Sequence, residues 1–205
     1  MNDKVNSDSH KMIGVMCGSS EACDKKYLNM AFEVGQHLAQ NQQEVIYGGG
    51  AKGLMRKVAD GALETGGLVH GYIPSFMIEV EWQHPSLTNL HITADMSERK
   101  KRMMNESDAT IFLPGGCGTM EEFFEWLSAK RLGQYIGPLI IFNFEGYYDP
   151  LITLLHQMEA EKFHNKIHQE MWSVCTNVEE IGQTIENAPK WREDAIKQAA
   201  VITES

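Results

Sequence analysis

The chain has 205 residues, 42% of them hydrophobic and 22% charged, with a formal net charge of -10. That length suits one α/β domain with a core that needs no disulfide or metal staple, and the acidic balance argues against a protein that coats nucleic acid, which requires many Lys and Arg on phosphates. Cys17, Cys23, Cys117 and Cys175 form no CxxC pair, no apolar stretch can span a bilayer, and the polar start lacks the apolar core of a signal peptide, so a reduced, cytoplasmic protein without membrane contact is expected.

The first residues, Met1 to Lys11, are polar and read as a disordered tail. Strand and helix patterns then alternate. Met12 to Cys17 is a short apolar strand ending at Gly18-Ser19-Ser20. Lys25 to Asn41 carries apolar residues at helical spacing. Glu44 to Tyr47 reads as a strand running into Gly48-Gly49-Gly50, and Leu54 to Glu64 as a helix closed by Gly66-Gly67. Leu68 to Ile73 is a strand stopped by Pro74, and an irregular stretch containing Glu81 and His84 follows. Leu90 to Thr93 is a short strand, after which Asp95 is placed to cap a helix from Met96 to about Glu106. Ala109 to Leu113 is a buried strand and Gly118 to Arg131 the next helix. Leu139 to Phe142, Pro150 to Lys162, Met171 to Cys175 and Glu179 to Glu186 continue the alternation. The tail from Lys190 to Ala200 predicts one more amphipathic helix, with Trp191, Ala195 and Ala199 on one side. The expectation is a single Rossmann-like domain, residues 12–205, with a parallel sheet covered by helices on both faces.

Three glycine-rich turns fall at strand ends, where ligands sit in open α/β sheets: Gly18-Ser19-Ser20, Gly48-Gly49-Gly50 and Gly115-Gly116-Cys117-Gly118-Thr119. Any one of them can be no more than a tight turn. Three together point to a backbone that closes on a ligand. The third is the most specific, because a helix that starts there aims unpaired N–H groups at an anion, Thr119 adds a hydroxyl, and Met120, Glu121 and Glu122 follow at once. The second turn also fits GxGxxG, but the next strand ends at Gly71-Tyr72-Ile73-Pro74 without the acid that holds a ribose, and no GxxxxGK[ST] occurs. No cofactor and no metal are expected.

The run Arg99-Lys100-Lys101-Arg102 concentrates cations in an acidic chain. As a solvated helix face it needs no function. Arg99 and Met103 are i,i+4, however, which puts Arg99 beside the apolar stripe on a helix that starts at the ligand rim, where a guanidinium can grip a phosphate. Glu81 and His84, each more simply a surface residue, are candidate contacts from the loop. Cys117 at a helix start is a candidate nucleophile, yet no His stands in its motif and a packing role is expected. His164 and His168 have the spacing of a helical zinc pair without the acid of HExxH, and are read as surface histidines.

The run Pro114-Gly-Gly-Cys-Gly-Thr-Met-Glu-Glu122, with Arg99-Lys100 upstream, resembles the Lonely guy family of cytokinin riboside 5′-monophosphate phosphoribohydrolases. Cys17-Gly18-Ser19-Ser20, Tyr47-Gly48-Gly49-Gly50, Gly53-Leu54-Met55, Ile73-Pro74 and Gly146-Tyr147-Tyr148 are similar to its other landmarks, in order. The resemblance implies cleavage of the N-glycosidic bond of a nucleoside 5′-monophosphate, AMP or a cytokinin riboside monophosphate, without a redox cofactor or metal. It implies a site of Glu81, Arg99, Lys100 and the run Gly116 to Glu122, with Arg99 and Glu122 as the catalytic pair, in a homodimer or higher homo-oligomer. Arg56, Cys117 and Gly137 depart from the family pattern. Two other readings are a nucleotide sensor without catalysis and a lysine decarboxylase, the second needing a Schiff-base lysine such as Lys52 or Lys100.

Overall fold

The computed structural model describes residues 11–78 and 83–199. Seven strands form one parallel sheet: β1 (Met12–Met16), β2 (Glu44–Tyr47), β3 (Val69–Pro74), β4 (Asn89–Thr93), β5 (Ala109–Phe112), β6 (Leu139–Phe142) and β7 (Ser173–Cys175). Their order across the sheet is β4-β3-β2-β1-β5-β6-β7. The helices are α1 (Lys25–Gln40), α2 (Gly53–Glu64), α3 (Met96–Glu106), α4 (Cys117–Arg131), α5 (Asp149–Ala160) and α6 (Ile181–Asn187). The expected single Rossmann-like domain with a doubly covered parallel sheet is what forms.

Alternate residues along each strand enter opposite layers, as the pleat requires. Ile13, Val15, Val45, Tyr47, Ala109, Ile111, Ile140 and Phe142 pack with α1, α2 and α6. Met16, Ile46, Tyr72, Phe112, Leu139 and Ile141 pack on the other face with α3, α4 and Leu155 of α5. A sheet buried on both sides explains why its strands read as continuous apolar runs.

Asp95 does cap α3: its carboxylate accepts from the Glu98 N–H at 2.8 Å, while Glu98 reaches back to the Ala94 N–H at 2.7 Å. Farther along α3, the Arg102 guanidinium lies 5.1 Å above the Tyr72 ring and donates to His91 Nδ1 at 3.2 Å, and the Tyr72 hydroxyl donates to Glu106. These contacts dock α3 on β3 and β4 and so fix the helix that carries Arg99.

Some elements differ from the sequence reading. The tail forms only a 3₁₀ segment, Glu193–Gln198, instead of an amphipathic α-helix. Trp191 and Ala195 are buried as expected, but the indole N–H donates to the Lys130 carbonyl and Arg131 takes the Ala199 carbonyl, and these bonds tie the segment flat against the end of α4. The strand expected from Met171 begins at Ser173, because Lys166–Met171 is a 3₁₀ segment. His168 is buried in that segment and its Nδ1 accepts from the Asn165 N–H, so it is neither a surface residue nor on an α-helix. His84 is also buried: Nε2 meets Asp60 at 3.0 Å and Nδ1 accepts from the Ser86 N–H. Of the polar N-terminal tail only Lys11 lies within the described residues, its carbonyl accepting from Glu44. No described helix is long and apolar enough to cross a membrane.

Helix α4 holds a charged residue, Lys130, in its apolar stripe. Lys130 is fully buried and donates to the Gly137 carbonyl at 2.7 Å, and burial pulls its ammonium down to about 8. An unfolded lysine titrates near 10.5, so between these two values the unfolded chain holds the extra proton and stability rises with pH. Relative to a Lys130→Met variant, the wild type is expected to gain up to about 3 kcal/mol between roughly pH 8 and 10.5. Urea unfolding of both proteins at each pH reads this directly; a constant difference would refute it.

Candidate functional site

Strands β1 and β5 are neighbours although three other strands lie between them in the chain. The connections leaving their carboxyl ends run to opposite sides of the sheet, and such a switch point opens a crevice. The two turns meet there: the Gly18 N–H donates to the Pro114 carbonyl at 3.1 Å, and the Leu54 N–H at the start of α2 donates to the Gly18 carbonyl at 3.0 Å. A cavity of about 430 Å³ opens beside them, well inside the size range of small-ligand sites.

One wall of the cavity is the start of α4. Gly116 is its N-cap residue, and Cys117, Gly118 and Thr119 occupy the first helical positions, where backbone N–H groups have no helical acceptor. All four line the cavity, together with Gly18 and Ser19 of the first turn. The stripe of α4 that packs on the sheet contains Thr119, Glu122, Phe123, Trp126 and Leu127. Glu122 therefore belongs to a buried stripe by its helical phase, at the end of the helix nearest the cavity. It is 9% exposed and lines the cavity with the more exposed Glu121.

Arg99 enters from α3. It is 5% exposed; its Nη2 donates to the Gly48 carbonyl at 3.3 Å and its Nη1 lies 3.5 Å from the Met96 sulfur. Among the described residues its Nε has no hydrogen-bond partner. A buried guanidinium with an unfilled donor, in a cavity that also holds unpaired helix N–H groups, is equipped to receive an anionic or oxygen-rich ligand. Cys17 lies under the same cavity, and burial, followed by the nearby Glu122 charge, pushes its thiol up so that it stays protonated.

The structure thus brings together Gly18, Ser19, Arg99, Gly116, Cys117, Gly118, Thr119, Glu121 and Glu122. The other expected residues that are described do not line this cavity. Gly49 and Gly50 turn away from it: the Gly49 carbonyl accepts from the His84 N–H and Gly50 bridges Gln83, and from this turn the cavity takes Gly48 instead. Lys100, about a third of a turn beyond Arg99, points at α4 and pairs with Glu121 at 2.5 Å and Glu125 at 2.6 Å. Burial works against its charge, but the two carboxylates outweigh it and hold the ammonium above its usual range. Gly115 lines a smaller apolar cavity on the other side of the turn, and Met120 packs against the second core layer. Glu81 lies outside the described residues. Among the described residues no group of three or more His, Cys, Asp and Glu is arranged to hold a metal, and His164 and His168 only pack edge to face.

The cavity has residues that the sequence reading passed over. Met55, Met77 and Met96, with Met16 beneath, form an apolar wall opposite the α4 turn. Isolated methionines carry no spacing signal, so only the folded chain assembles them. No described residue lining the cavity is a lysine.

The sequence matches the family described as "Possible lysine decarboxylase" over residues 55–185. It is 38% identical over 170 residues to a cytokinin riboside 5′-monophosphate phosphoribohydrolase of Rhodococcoides fascians, covering 82% of this chain and 86% of that protein. It is 34% identical over 176 residues to LOG5 of Arabidopsis thaliana, with the same enzyme name, covering 86% of this chain and 77% of the other. A probable enzyme of this kind from Oryza sativa, LOGL1, is 40% identical over 151 residues, covering 74% and 68%. The fold is shared with the molybdenum cofactor carrier protein of Chlamydomonas reinhardtii, at TM-score 0.67 and 19% identity over 87% of this chain and 98% of that one. It is also shared with a molybdenum cofactor binding protein from Rippkaea orientalis, at TM-score 0.66 and 21% identity over 88% and 98%. With its matching turns, its buried Arg99 and Glu122, and identity of this extent, the chain belongs to the Lonely guy family of cytokinin riboside 5′-monophosphate phosphoribohydrolases, which the description "Possible lysine decarboxylase" also covers.

Proposed function

We propose that the protein hydrolyses the N-glycosidic bond of a nucleoside 5′-monophosphate, AMP or a cytokinin riboside monophosphate, to free base and ribose 5-phosphate. The observation that carries this reading is the convergence of buried Arg99, buried Glu122 and the open N-terminus of α4 on one cavity. The 5′-phosphate sits on the N–H groups of Gly116 to Thr119 and on the Thr119 hydroxyl, where helix geometry and dipole favour an anion. The methionine wall takes the base, since thioethers adapt to a flat polarizable ring. The ribose lies between them, beside Glu122.

As the bond to the base lengthens, positive charge builds on the sugar ring, and a carboxylate held in a partly desolvated site stabilises it. Glu122 supplies that charge and orients the attacking water. The water's hydroxyl joins C1′ and its proton goes to the departing base, so base and ribose 5-phosphate are the only products. Arg99 serves the phosphate or the leaving base from the cavity wall. The reading extends to a homodimer or larger assembly in the cytoplasm, consistent with four free cysteines; gel filtration with light scattering tests the assembly.

Gly48 gives Arg99 its seat. A Cβ on Gly48 would stand 1.9 Å from Arg99 Nη2 and 2.6 Å from the Met55 methyl. The Gly48 φ is not in the left-handed region, so the backbone would tolerate alanine and the steric conflict falls on the guanidinium and Met55.

Three variants test the reading by chromatography of base released from AMP and from isopentenyladenosine monophosphate. Glu122→Gln and Arg99→Ala are each expected to lower turnover by on the order of 10²–10⁴-fold. Unchanged turnover in either one, or tight nucleotide binding by the wild type with no base released, would sink the assignment. Gly48→Ala is expected to lower turnover by at least about tenfold by moving Arg99, and to add little once Arg99 is already Ala. Fully multiplicative losses in that double variant would detach Gly48 from Arg99.

A further inference from the structure

Three successive carbonyls of the turn before α4 are each held by a hydrogen bond, one from the β1 turn and two from the adjacent tyrosines of the loop after β6. Pro114 O accepts from the Gly18 N–H, Leu113 O from the buried Tyr148 hydroxyl at 2.6 Å, and Gly115 O from the Tyr147 hydroxyl at 2.8 Å. The third bond bears on the ligand. In a trans peptide the C=O and N–H point in opposite directions, and the described chain has no cis peptide. Tyr147 and Gly115 line the small apolar cavity on the α1 side of the turn, whereas Gly116 lines both that cavity and the main one. Drawing the Gly115 carbonyl toward Tyr147 therefore turns the Gly116 N–H the other way, into the main cavity. That amide is the first of the donors at the start of α4.

The Tyr147 ring is itself held in place. It meets Tyr27 edge to face with ring centres 5.7 Å apart and Tyr148 edge to face at 4.9 Å. Its loop leaves β6 through Glu145 and Gly146, both at positive φ, and is closed by Asn143, which accepts from the Tyr148 N–H at 2.7 Å. Gly115 has no freedom to evade the bond. On its other side a Cβ would stand 2.1 Å from the Thr119 hydroxyl, so the turn is packed against the helix it precedes.

We propose that Tyr147 is a positioning residue for phosphate: its hydroxyl, touching no substrate, sets the plane of the Gly115–Gly116 peptide so that the Gly116 N–H faces the 5′-phosphate. This rests on the reading that the α4 N-terminus takes that phosphate. The test uses the full chain and Tyr147→Phe, which removes one hydroxyl and keeps the ring contacts. Titration calorimetry with ribose 5-phosphate is expected to show binding weakened about three- to tenfold, the range for one modest hydrogen bond exposed to water. KM for AMP rises by a similar factor while kcat stays within about twofold, because the interaction acts on ground state and transition state alike. Adenine affinity and the melting temperature stay at their wild-type values. Unchanged ribose 5-phosphate affinity overturns the proposal, as does equal weakening of adenine and ribose 5-phosphate, which marks a general structural loss. A wild-type protein that binds no ribose 5-phosphate overturns the phosphate reading itself, and this proposal with it.

Discussion

The hydrogen bond from the Gly18 N–H to the Pro114 carbonyl joins the turns that follow β1 and β5. These strands are paired through four registered positions, Ile13 with Ala109 to Met16 with Phe112, so their ends arrive level. Beyond that point the chain from β1 runs into α1 on one face and the chain from β5 runs into α4 on the other. The crevice exists because the two paths diverge there. The bond between the turns keeps its floor closed while its sides open.

Two buried charged side chains, Arg99 and Glu122, line this crevice. Arg99 and Glu122 each occupy a position in the apolar stripe of a helix, Arg99 beside Met103 and Glu122 beside Phe123. A charge in such a place loses water and is tolerated only with compensating partners. Among the described residues Arg99 has one carbonyl and one weak sulfur acceptor, and its Nε has none. Lys130, by contrast, donates to the Gly137 carbonyl and lies at the far end of α4 from the cavity. The two buried cations differ in their setting: one lines an open cavity, the other donates its ammonium to a backbone carbonyl away from it.

The cavity is chemically two-sided. Hydroxyls, backbone amides and Glu122 stand on the α4 and β1 turns, and methionines from α2, α3 and the segment after β3 stand opposite. This division suits a ligand with a charged end and a flat apolar end. It also explains the fate of Lys100. Consecutive helical residues diverge by about 100°, so Arg99 faces the cavity and Lys100 faces Glu121 and Glu125, where its two ion pairs brace α3 against α4.

Much of this was legible in the residues. The alternation of apolar strands with 3.6-periodic helices specified a doubly covered parallel sheet, Asp95 announced the start of α3, and the Pro114–Glu122 run marked a helix start suited to an anion. Arg99 was readable because it shares a stripe with Met103. What the sequence could not carry is the lateral order of the strands, which depends on long-range pairing and leaves no trace in local periodicity. Only that order sets β1 beside β5, brings Gly18 and Ser19 to the α4 turn, and draws Gly48 into the cavity while Gly49 and Gly50 face His84 and Gln83. The same holds for the methionine wall, for buried His84 and His168, and for the tail, whose helical pattern yields to hydrogen bonds with Lys130 and Arg131. Local sequence determined the elements and their ends; the tertiary structure decided which ends meet, because contacts between residues distant in the chain form only when the sheet is assembled.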